Sequence, residues 1–464
     1  MALISDTHLD PTVDPTVDPG AMPEMPEMPE MPEIPEMPDV SGMSEAELVD
    51  AIRALEDTKA RACAVQARLT RVLDARVRAR HADQGVPAAR RGRDVPGLVA
   101  YARRESPARG TRLLGFAHAL AELPSTEAAL AAGVVSEWRA ILIARETACL
   151  QPGHRAIVDE QLAAPGPDGA YRFEGWGDRR LVAQTRALVA GLDPAAVVDR
   201  RAKAEADRHV SLRPAPDTMA RLSVLLPVAQ GVAAYATLTR AADQARAQGD
   251  SRSRGQVMTD TLVELVTGQA TAEAVPVTVN LTVSDHTLLA GGHEPAWLTG
   301  YGPLTADHAR DLAATAQAQT AQVALRRLYV APETGTLVAM ETRARAFPKA
   351  LGLFLDLRDQ TCRTPWCNAP VRHHDHITDH ADGGPTSAVN GQGLCEQCNH
   401  TKQAPGWRAR PLAGPPDQHV VETTLPTGHV IRSAAPRAPT PSRVVPLGHS
   451  GLHLIHHQLN WHAA

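Results

Sequence analysis

Four of the six cysteines in this 464-residue chain stand in one short segment near its C-terminal end. Four residues separate Cys362 from Cys367, and two residues separate Cys395 from Cys398. Each pair can close a small chelate turn, and two such pairs supply the four thiolates of a tetrahedral zinc site. Four protein ligands leave no open position for a substrate, so we expect structural zinc that holds together a segment too short to build its own core. Four buried cysteines without metal are the alternative.

A different group of polar residues lies between the two cysteine pairs. Asp375 and His376 stand in the stretch Asp375-His-Ile377, which we interpret as a strand end. Phosphodiester hydrolysis needs an activated water and a positive centre beside the phosphate. A neutral histidine can take the proton of the water, and a carboxylate can bind a hard divalent cation. Because neighbours in a strand point to opposite faces, both reach one phosphate only where the strand breaks into a loop.

The second ligand of such a cation must come from another element. The helix expected to begin near Cys395 offers Asn399 and His400, and the residues alone leave the choice between them open. Three further histidines of the segment could equally be surface residues: His373, His374 and His380.

The order of these residues resembles a known motif. From about Arg358 to Trp407 the chain is similar to the HNH endonuclease motif, the ββα-metal fold shared by homing endonucleases, bacterial DNase toxins and the HNH domains of restriction enzymes. The resemblance implies that His376 is the general base and that Asp375 is the metal ligand beside it. It also implies that Asn390 is the central asparagine, which braces the loop between the strands.

One position departs from the HNH pattern. Asn399 occupies the place of the final histidine, which gives an H-N-N variant with asparagine as the metal ligand, and the adjacent His400 could substitute for it. The resemblance further implies Mg²⁺ or another divalent cation as the catalytic metal. We expect Lys402, Arg372 and Arg363 to contact nucleic acid.

Charge permits a nucleic-acid partner without demonstrating one. The formal charge of the whole chain is −5, so no basic field covers the molecule. From Glu341 to Arg410, nine Lys or Arg stand against seven Asp or Glu, a net charge of about +2 that allows phosphate contact. No run of 18 apolar residues and no secretory signal are found, so we expect a cytoplasmic protein with no membrane span.

The elements that position these residues follow a long helical region. Residues 1–43 form a tail rich in Pro, Glu and Met that we expect to be disordered. Order begins at Ser44, whose spacing from Glu47 is that of a capping box. Apolar periodicity and turn residues predict the remaining elements. Helices are expected over 44–80, 95–104, 108–123, 125–132, 136–150, 154–162, 178–190, 194–208, 228–248, 256–266, 305–319 and 346–358. Strands are expected over 209–213, 220–226, 277–283, 325–329, 336–340, 420–425 and 429–433.

The fold class is therefore mainly α with a small β component, an α+β protein. We divide it into the tail 1–43, a mainly helical domain 44–342, an HNH module 343–410 and a Pro- and His-containing tail 411–464. Two segments are similar to the sequences of actinobacterial proteins with domain of unknown function 222: Glu294-Pro-Ala-Trp-Leu-Thr-Gly-Tyr-Gly-Pro303 and Leu212-Arg-Pro-Ala-Pro-Asp217. In those proteins an HNH module commonly follows this domain. This resemblance implies architecture and little mechanism.

The sequence is compatible with three functions. The first is a metal-dependent HNH endonuclease acting on DNA, with a zinc-held scaffold and a homodimer formed through the helical domain. The second is a non-catalytic zinc-containing DNA-binding or regulatory protein. The third is an interaction domain held by zinc on a helical scaffold.

Overall fold

The computed structural model describes residues 40–217, 219–272, 281–289, 291–318, 341–342, 346–413 and 418–436. The N-terminal tail up to residue 39, the expected strands at 325–329 and 336–340, and the chain after residue 436 lie outside the described residues. So do the first four residues of the strand expected at 277–283; its next two form a strand, Leu281–Thr282.

A bundle of eight helices forms the first part of the chain, as the apolar periodicity predicted. The predicted capping box is confirmed: Glu47 N donates to Ser44 Oγ at 3.4 Å, and Ser44 N donates to Glu47 Oε2 at 2.7 Å. The helices are α1 (Glu45–Asp83), α2 (Val95–Arg103), α3 (Pro107–Ala121), α4 (Pro124–Ala131), α5 (Glu137–Thr147), α6 (Pro152–Ala163), α7 (Asp178–Leu192) and α8 (Pro194–Ala206).

Small and aliphatic side chains build the main core of this bundle. Ala60, Ala64 and Ala67 of α1 let the other helices approach closely, and Leu120 and Ile143 are fully buried against them. The packing explains how a chain with few aromatic residues fills a core of this size.

A hairpin, two helices and a small sheet follow the bundle. The predicted hairpin is confirmed as β1 (His209–Ala215) paired antiparallel with β2 (Met219–Leu225). The next elements are α9 (Val228–Ala247), α10 (Arg254–Thr267), β3 (Leu281–Thr282), α11 (Asp285–Leu289), β4 (Ala296–Leu298), β5 (Gly302–Leu304), α12 (Ala306–Ala318) and β6 (Glu341–Thr342). The sheet order is β3-β4-β5, and β4 and β5, of three residues each, are too short to be predicted from periodicity.

The C-terminal segment begins with a helix, continues with three short strands and ends with a second, short helix. It contains α13 (Lys349–Asp359), β7 (His373–His376), β8 (Thr386–Ser387), β9 (Gly391–Leu394) and α14 (Glu396–Lys402). The strands β7 and β9 pair antiparallel, with His373 opposite Leu394 and His376 opposite Gly391. The short strand β8 pairs with β6.

A three-stranded sheet closes the described chain, in the order β10-β11-β12. The predicted hairpin is confirmed as β11 (His419–Thr424) and β12 (Val430–Ala434). The strand β10 (Arg408–Ala413) was not predicted, because Pro411 suggested the start of a loose tail. Proline is tolerated there because β10 is an edge strand, where a missing N–H costs no interior ladder bond.

The sheet packs against the helical bundle. Leu425 belongs to a buried cluster with Val77 of α1, Leu98 of α2 and Leu113 of α3, and Trp407 and Ile431 pack at its border. The expected class is confirmed: the described chain is mainly helical with small sheets. In the described residues, no single helix combines the length and the apolar composition needed to cross a membrane.

Candidate metal and nuclease site

The four cysteines meet in one buried cluster around α14. Cys362 and Cys367 stand in the loop after α13, while Cys395 and Cys398 stand at the first turn of α14. Their Sγ atoms all lie within 4.8 Å of one another, and those of Cys367 and Cys395 are 3.8 Å apart. Zn–S bonds of about 2.3 Å would place tetrahedral sulfurs roughly 3.8 Å apart. The cluster could hold a metal ion and is consistent with structural zinc.

Local backbone geometry brings the sulfurs together. Cys362 N donates to Ala369 O at 2.9 Å and Cys367 N to Thr364 O at 3.0 Å, which closes the first chelate loop. Cys395 caps α14 by accepting from Cys398 N at 3.4 Å. Contact with Cys367 lowers the pKa of Cys362 to about 7, and contact with Cys362 lowers the pKa of Cys395. An incoming cation would displace the thiol protons into solvent and bind the thiolates.

A buried ion pair ties α13 to the strands. Arg358 and Asp359 are 5% and 1% exposed, and Arg358 Nε donates to Asp359 Oδ1 at 2.7 Å. Arg358 Nη2 donates to Gly391 O at 2.8 Å, and Gly393 N donates to Asp359 Oδ2 at 2.7 Å. The pair is fully hydrogen-bonded, which is the condition for retaining charges in an interior.

The strand β7 presents different side chains to its two faces. Asp375 faces Gln392 of β9 and Lys402 of α14: Gln392 Nε2 donates to Asp375 Oδ2 at 3.0 Å, and Lys402 Nζ lies 3.1 Å from the same oxygen. His373, two residues earlier, lies on the same face, where its Nδ1 is 2.9 Å from Asn399 Nδ2 of α14. Asp375, His373 and Asn399 are thus gathered between β7 and α14.

His376 lies on the other face of β7, at the mouth of an open cleft that Phe347 and His374 also line. Its ring centroid is 4.6 Å from that of Phe347, and its Nε2 is 2.8 Å from Thr386 Oγ1. Burial lowers the pKa of His376 below its ordinary value. The side chain is therefore mainly neutral at pH 7, the state in which an imidazole can accept a proton.

Asn390 fastens the loop that follows β7. Its side chain accepts from Thr378 N at 2.9 Å and donates to Thr378 O and to Pro385 O, each at 2.9 Å. The glycine turn in this loop is required by space, because a Cβ on Gly384 would collide with the carbonyl of Thr378 and the amide of Asn390. The arrangement holds the loop, and the strand end that carries His376, against β9.

The basic residues occupy unlike places. Lys402 Nζ donates to His376 O at 2.5 Å and to Asp379 Oδ1 at 2.6 Å, so its ammonium links α14 to the end of β7 and to the loop that follows it. Arg372 is exposed. Arg363, by contrast, is 4% exposed and donates to the carbonyls of His419 and Ser433. A buried guanidinium cannot reach a phosphate, so Arg363 is excluded from the nucleic-acid contacts predicted above.

Between β7 and α14, two side chains offer oxygen atoms that fit a divalent cation. Asn399 Oδ1 is buried and lacks a hydrogen-bond partner, and Asp375 is close to the same helix with 13% of its side chain exposed. Oxygen atoms of this kind are the ligands of hard cations. His400 is exposed, with its ring centroid 6.4 Å from that of His373. Among the described residues, the four cysteines are the one group of three or more Cys, His, Asp or Glu that converges as ligands.

The family described as Domain of unknown function (DUF222) matches residues 57–359, which is more than half of the chain. The chain belongs to this family. No curated protein and no solved structure matches it. The match ends at Asp359, so the cysteine cluster, β7 and α14 follow the DUF222 region, and the domain limits drawn from the sequence stay predictions.

The DUF222 region touches the cysteine segment directly. Gln397 Nε2 of α14 donates to Thr111 Oγ1 of α3 at 2.8 Å, and Trp407 Nε1 donates to Asp94 Oδ2 at 3.1 Å. A Cβ on Gly97 of α2 would lie 2.7 Å from the Thr401 side chain, so only glycine allows this approach of α2 to α14. The helices of the DUF222 region therefore support the helix that carries two of the cysteines.

Sequence reasoning did not assign a role to two residues of this site, His373 and Gln392. The residue types leave the role of His373 open, although the period of two along a strand places it on the same face as Asp375. Gln392 lies directly opposite Asp375 across the β7–β9 ladder. Its role depends on the strand register, which the sequence did not specify.

Proposed function

We propose that this chain is a metal-dependent HNH endonuclease that hydrolyses phosphodiester bonds in DNA. The observation that carries the proposal is the Oδ1 atom of Asn399, which is buried and has no hydrogen-bond partner, on the same side of β7 as the carboxylate of Asp375. The next residue in the strand is His376, which is partly buried and mainly neutral. A carboxylate, an amide oxygen and a neutral imidazole at one strand end are the groups that cation-assisted hydrolysis of a phosphodiester requires.

Asp375 and Asn399 would hold the catalytic cation, Mg²⁺ or another hard divalent ion. When bound, the cation supplies positive charge beside the scissile phosphate and the leaving oxygen. Lys402 contacts the same carboxylate at 3.1 Å, so it neutralises Asp375 until a cation takes that place. With His400 exposed, the geometry favours Asn399 as the second ligand.

His376 acts as the general base. Its Nε2 faces Thr386 Oγ1 at 2.8 Å, and we assign that nitrogen as the proton donor, which leaves the lone pair of Nδ1 free to take a proton from water. Phe347 packs against the ring at 4.6 Å and limits its rotation. Asn390 contributes by holding the adjoining loop, so its role is positional.

The DNA backbone would lie along the cleft lined by Phe347 and His376, with the exposed Arg372 as a phosphate contact, while Lys402 stays bound to His376 O and Asp379. The cysteine cluster, with zinc bound, would serve as scaffold alone, because four thiolates fill a tetrahedral ion. A cytoplasmic location and a homodimer formed through the helical domain remain predictions.

A plasmid nicking assay tests the proposal. The zinc-loaded full chain is incubated with supercoiled plasmid in EGTA-treated buffer, and Mg²⁺ or Mn²⁺ is then added. We expect nicking that depends on the added cation and falls at least about 100-fold in His376→Ala. His293→Ala is the matched control, since His293 is exposed and lies in the DUF222 region. Absence of nicking in the wild type, or equal nicking in His376→Ala, contradicts the enzyme.

One observation favours a second function, a non-catalytic zinc-containing DNA-binding or regulatory protein. Asp375 and His376 contact different elements on opposite faces of β7, and Lys402 already neutralises Asp375. A protein of this kind would shift DNA in a gel without cutting it in any divalent cation, and the shift would be lost when the cysteine cluster is disrupted.

A further inference from the structure

We infer that His373 is a positioning residue that fixes the side-chain amide of Asn399, so that Oδ1 and not Nδ2 is presented to the divalent cation. The inference rests on the proposed nuclease function and deepens it, because it decides which side chain of α14 is the second cation ligand and what holds that side chain in place.

The geometry begins with the faces of β7. His373 and Asp375 are two residues apart in the strand, so both project toward α14, which carries Asn399. The 2.9 Å contact joins His373 Nδ1 to Asn399 Nδ2. An amide nitrogen can only donate, so Nδ1 accepts, and His373 carries its proton on Nε2.

This contact determines where the amide oxygen lies. With Nδ2 held by His373, rotation about the terminal bond of Asn399 is restricted, and Oδ1 points away from His373. That oxygen is buried and has no hydrogen-bond donor in the structure. A buried acceptor without a partner is unfavourable, and a hard cation satisfies it, with Asp375 on the same strand face as the charged ligand.

The same geometry argues against His400 as the ligand. The side chain of His400 is exposed, and its ring meets that of His373 edge-on at 6.4 Å. It therefore lies outside the group formed by Asp375, His373 and Asn399. Residues that orient a metal ligand through a hydrogen bond typically change metal affinity 10- to 100-fold when they are replaced.

The test measures Mn²⁺ affinity by the EPR signal of the free ion, in zinc-loaded full-length protein without DNA. His373→Ala and His373→Phe both remove the acceptor, and each should weaken Mn²⁺ binding about 10- to 100-fold. His373→Asn supplies a side-chain oxygen that can accept from Asn399 Nδ2 and should restore affinity close to wild type. His293→Phe, at an exposed position in the DUF222 region, is the control and should bind Mn²⁺ as the wild type does.

Zinc content, measured on the same samples, verifies that each variant retains its scaffold. If Asn399→Ala loses Mn²⁺ while His373→Ala and His373→Phe bind it as the wild type does, the inference is wrong and the proposed function stands. If His400→Ala loses Mn²⁺ and Asn399→Ala does not, the ligand is His400 and the inference is overturned. A wild type that neither binds Mn²⁺ nor nicks plasmid contradicts the proposed function itself.

Discussion

Gln397 in α14 donates a 2.8 Å hydrogen bond to Thr111 in α3, across 286 positions of the sequence. The hydroxyl of Thr111 donates in turn to Pro107 O at 3.2 Å, so both of its roles are used. In the sequence Gln397 lies between Cys395, which belongs to the cysteine cluster, and Asn399, which belongs to the proposed cation site. The DUF222 region thus contacts the helix on which both proposed metal sites depend.

Removing this contact should loosen the attachment without emptying the cysteine cluster. Thr111→Val keeps the shape of the side chain but removes the acceptor, and we expect the free energy of unfolding to fall by about 1 kcal/mol in urea. A double-mutant cycle with Gln397→Ala should give a coupling energy of about 0.5–1 kcal/mol. Thr70→Val is the control, since Thr70 bonds only to a carbonyl of its own helix in the described contacts. Zero coupling in the cycle would show that the contact has no energetic role.

The cysteine cluster predicts one tightly held zinc ion per chain. Cys395→Ser removes a ligand and the cap of α14 together, so zinc should be released and the strands and helix from 373 to 402 should lose their protection from hydrogen exchange. Native mass spectrometry gives the metal content. Cys149→Ser, in a half-buried cysteine far from the cluster in sequence, should keep its zinc. Equal zinc in both variants would disprove a four-thiolate site.

Asn390 should matter for cutting more than for metal. Asn390→Ala removes three hydrogen bonds that hold the loop after β7. A displacement of the base by about 1 Å can lower a rate about 100-fold, so we expect a fall of that size in kcat for plasmid nicking with zinc retained. Asn368→Ala, an exposed position in the cysteine loop, is the matched control. A variant at Asn390 that nicks at the wild-type rate would remove this residue from the mechanism.

The pH dependence of nicking follows from the environment of His376. Burial lowers its pKa from the ordinary 6.5; Asp375 opposes the shift, and His380 and Lys402 add to it. Only the neutral imidazole accepts a proton, so activity should rise with pH through this pKa, and the acidic limb of kcat/KM should have its midpoint below 6.5. The residual activity of His376→Ala should lack that limb. A midpoint at or above 6.5 in the wild type would contradict the assignment.

Local patterns carried most of what could be predicted from the sequence. Ser44 and Glu47 specify the start of α1 because a capping box depends on four consecutive residues, and the β1–β2 hairpin follows from alternation around a turn. The cysteine cluster was predictable for the same reason, since each chelate loop is short. Such features need no knowledge of distant parts of the chain.

The remainder depends on packing between distant segments. Arginine is a residue type that commonly contacts phosphate, but the strands β11 and β12 bury Arg363. Pro411 hid the edge strand β10, and the contact of Gln397 with Thr111 joins parts of the chain that no periodicity connects. The contact of His373 with Asn399 likewise depends on how β7 packs against α14, which is a tertiary property.

The helix α14 has only seven residues, and it includes Cys398 of the cysteine cluster and, one peptide bond further, Asn399 of the proposed cation site. A chelator such as EDTA therefore meets two targets on one helical turn. Under the proposed function, brief exposure would withdraw the loosely held cation, and Mg²⁺ alone would restore cutting. Prolonged exposure would also strip zinc, and recovery would then require zinc before magnesium. If the proposed function holds, a cell starved of zinc would lose the cutting activity even with abundant magnesium.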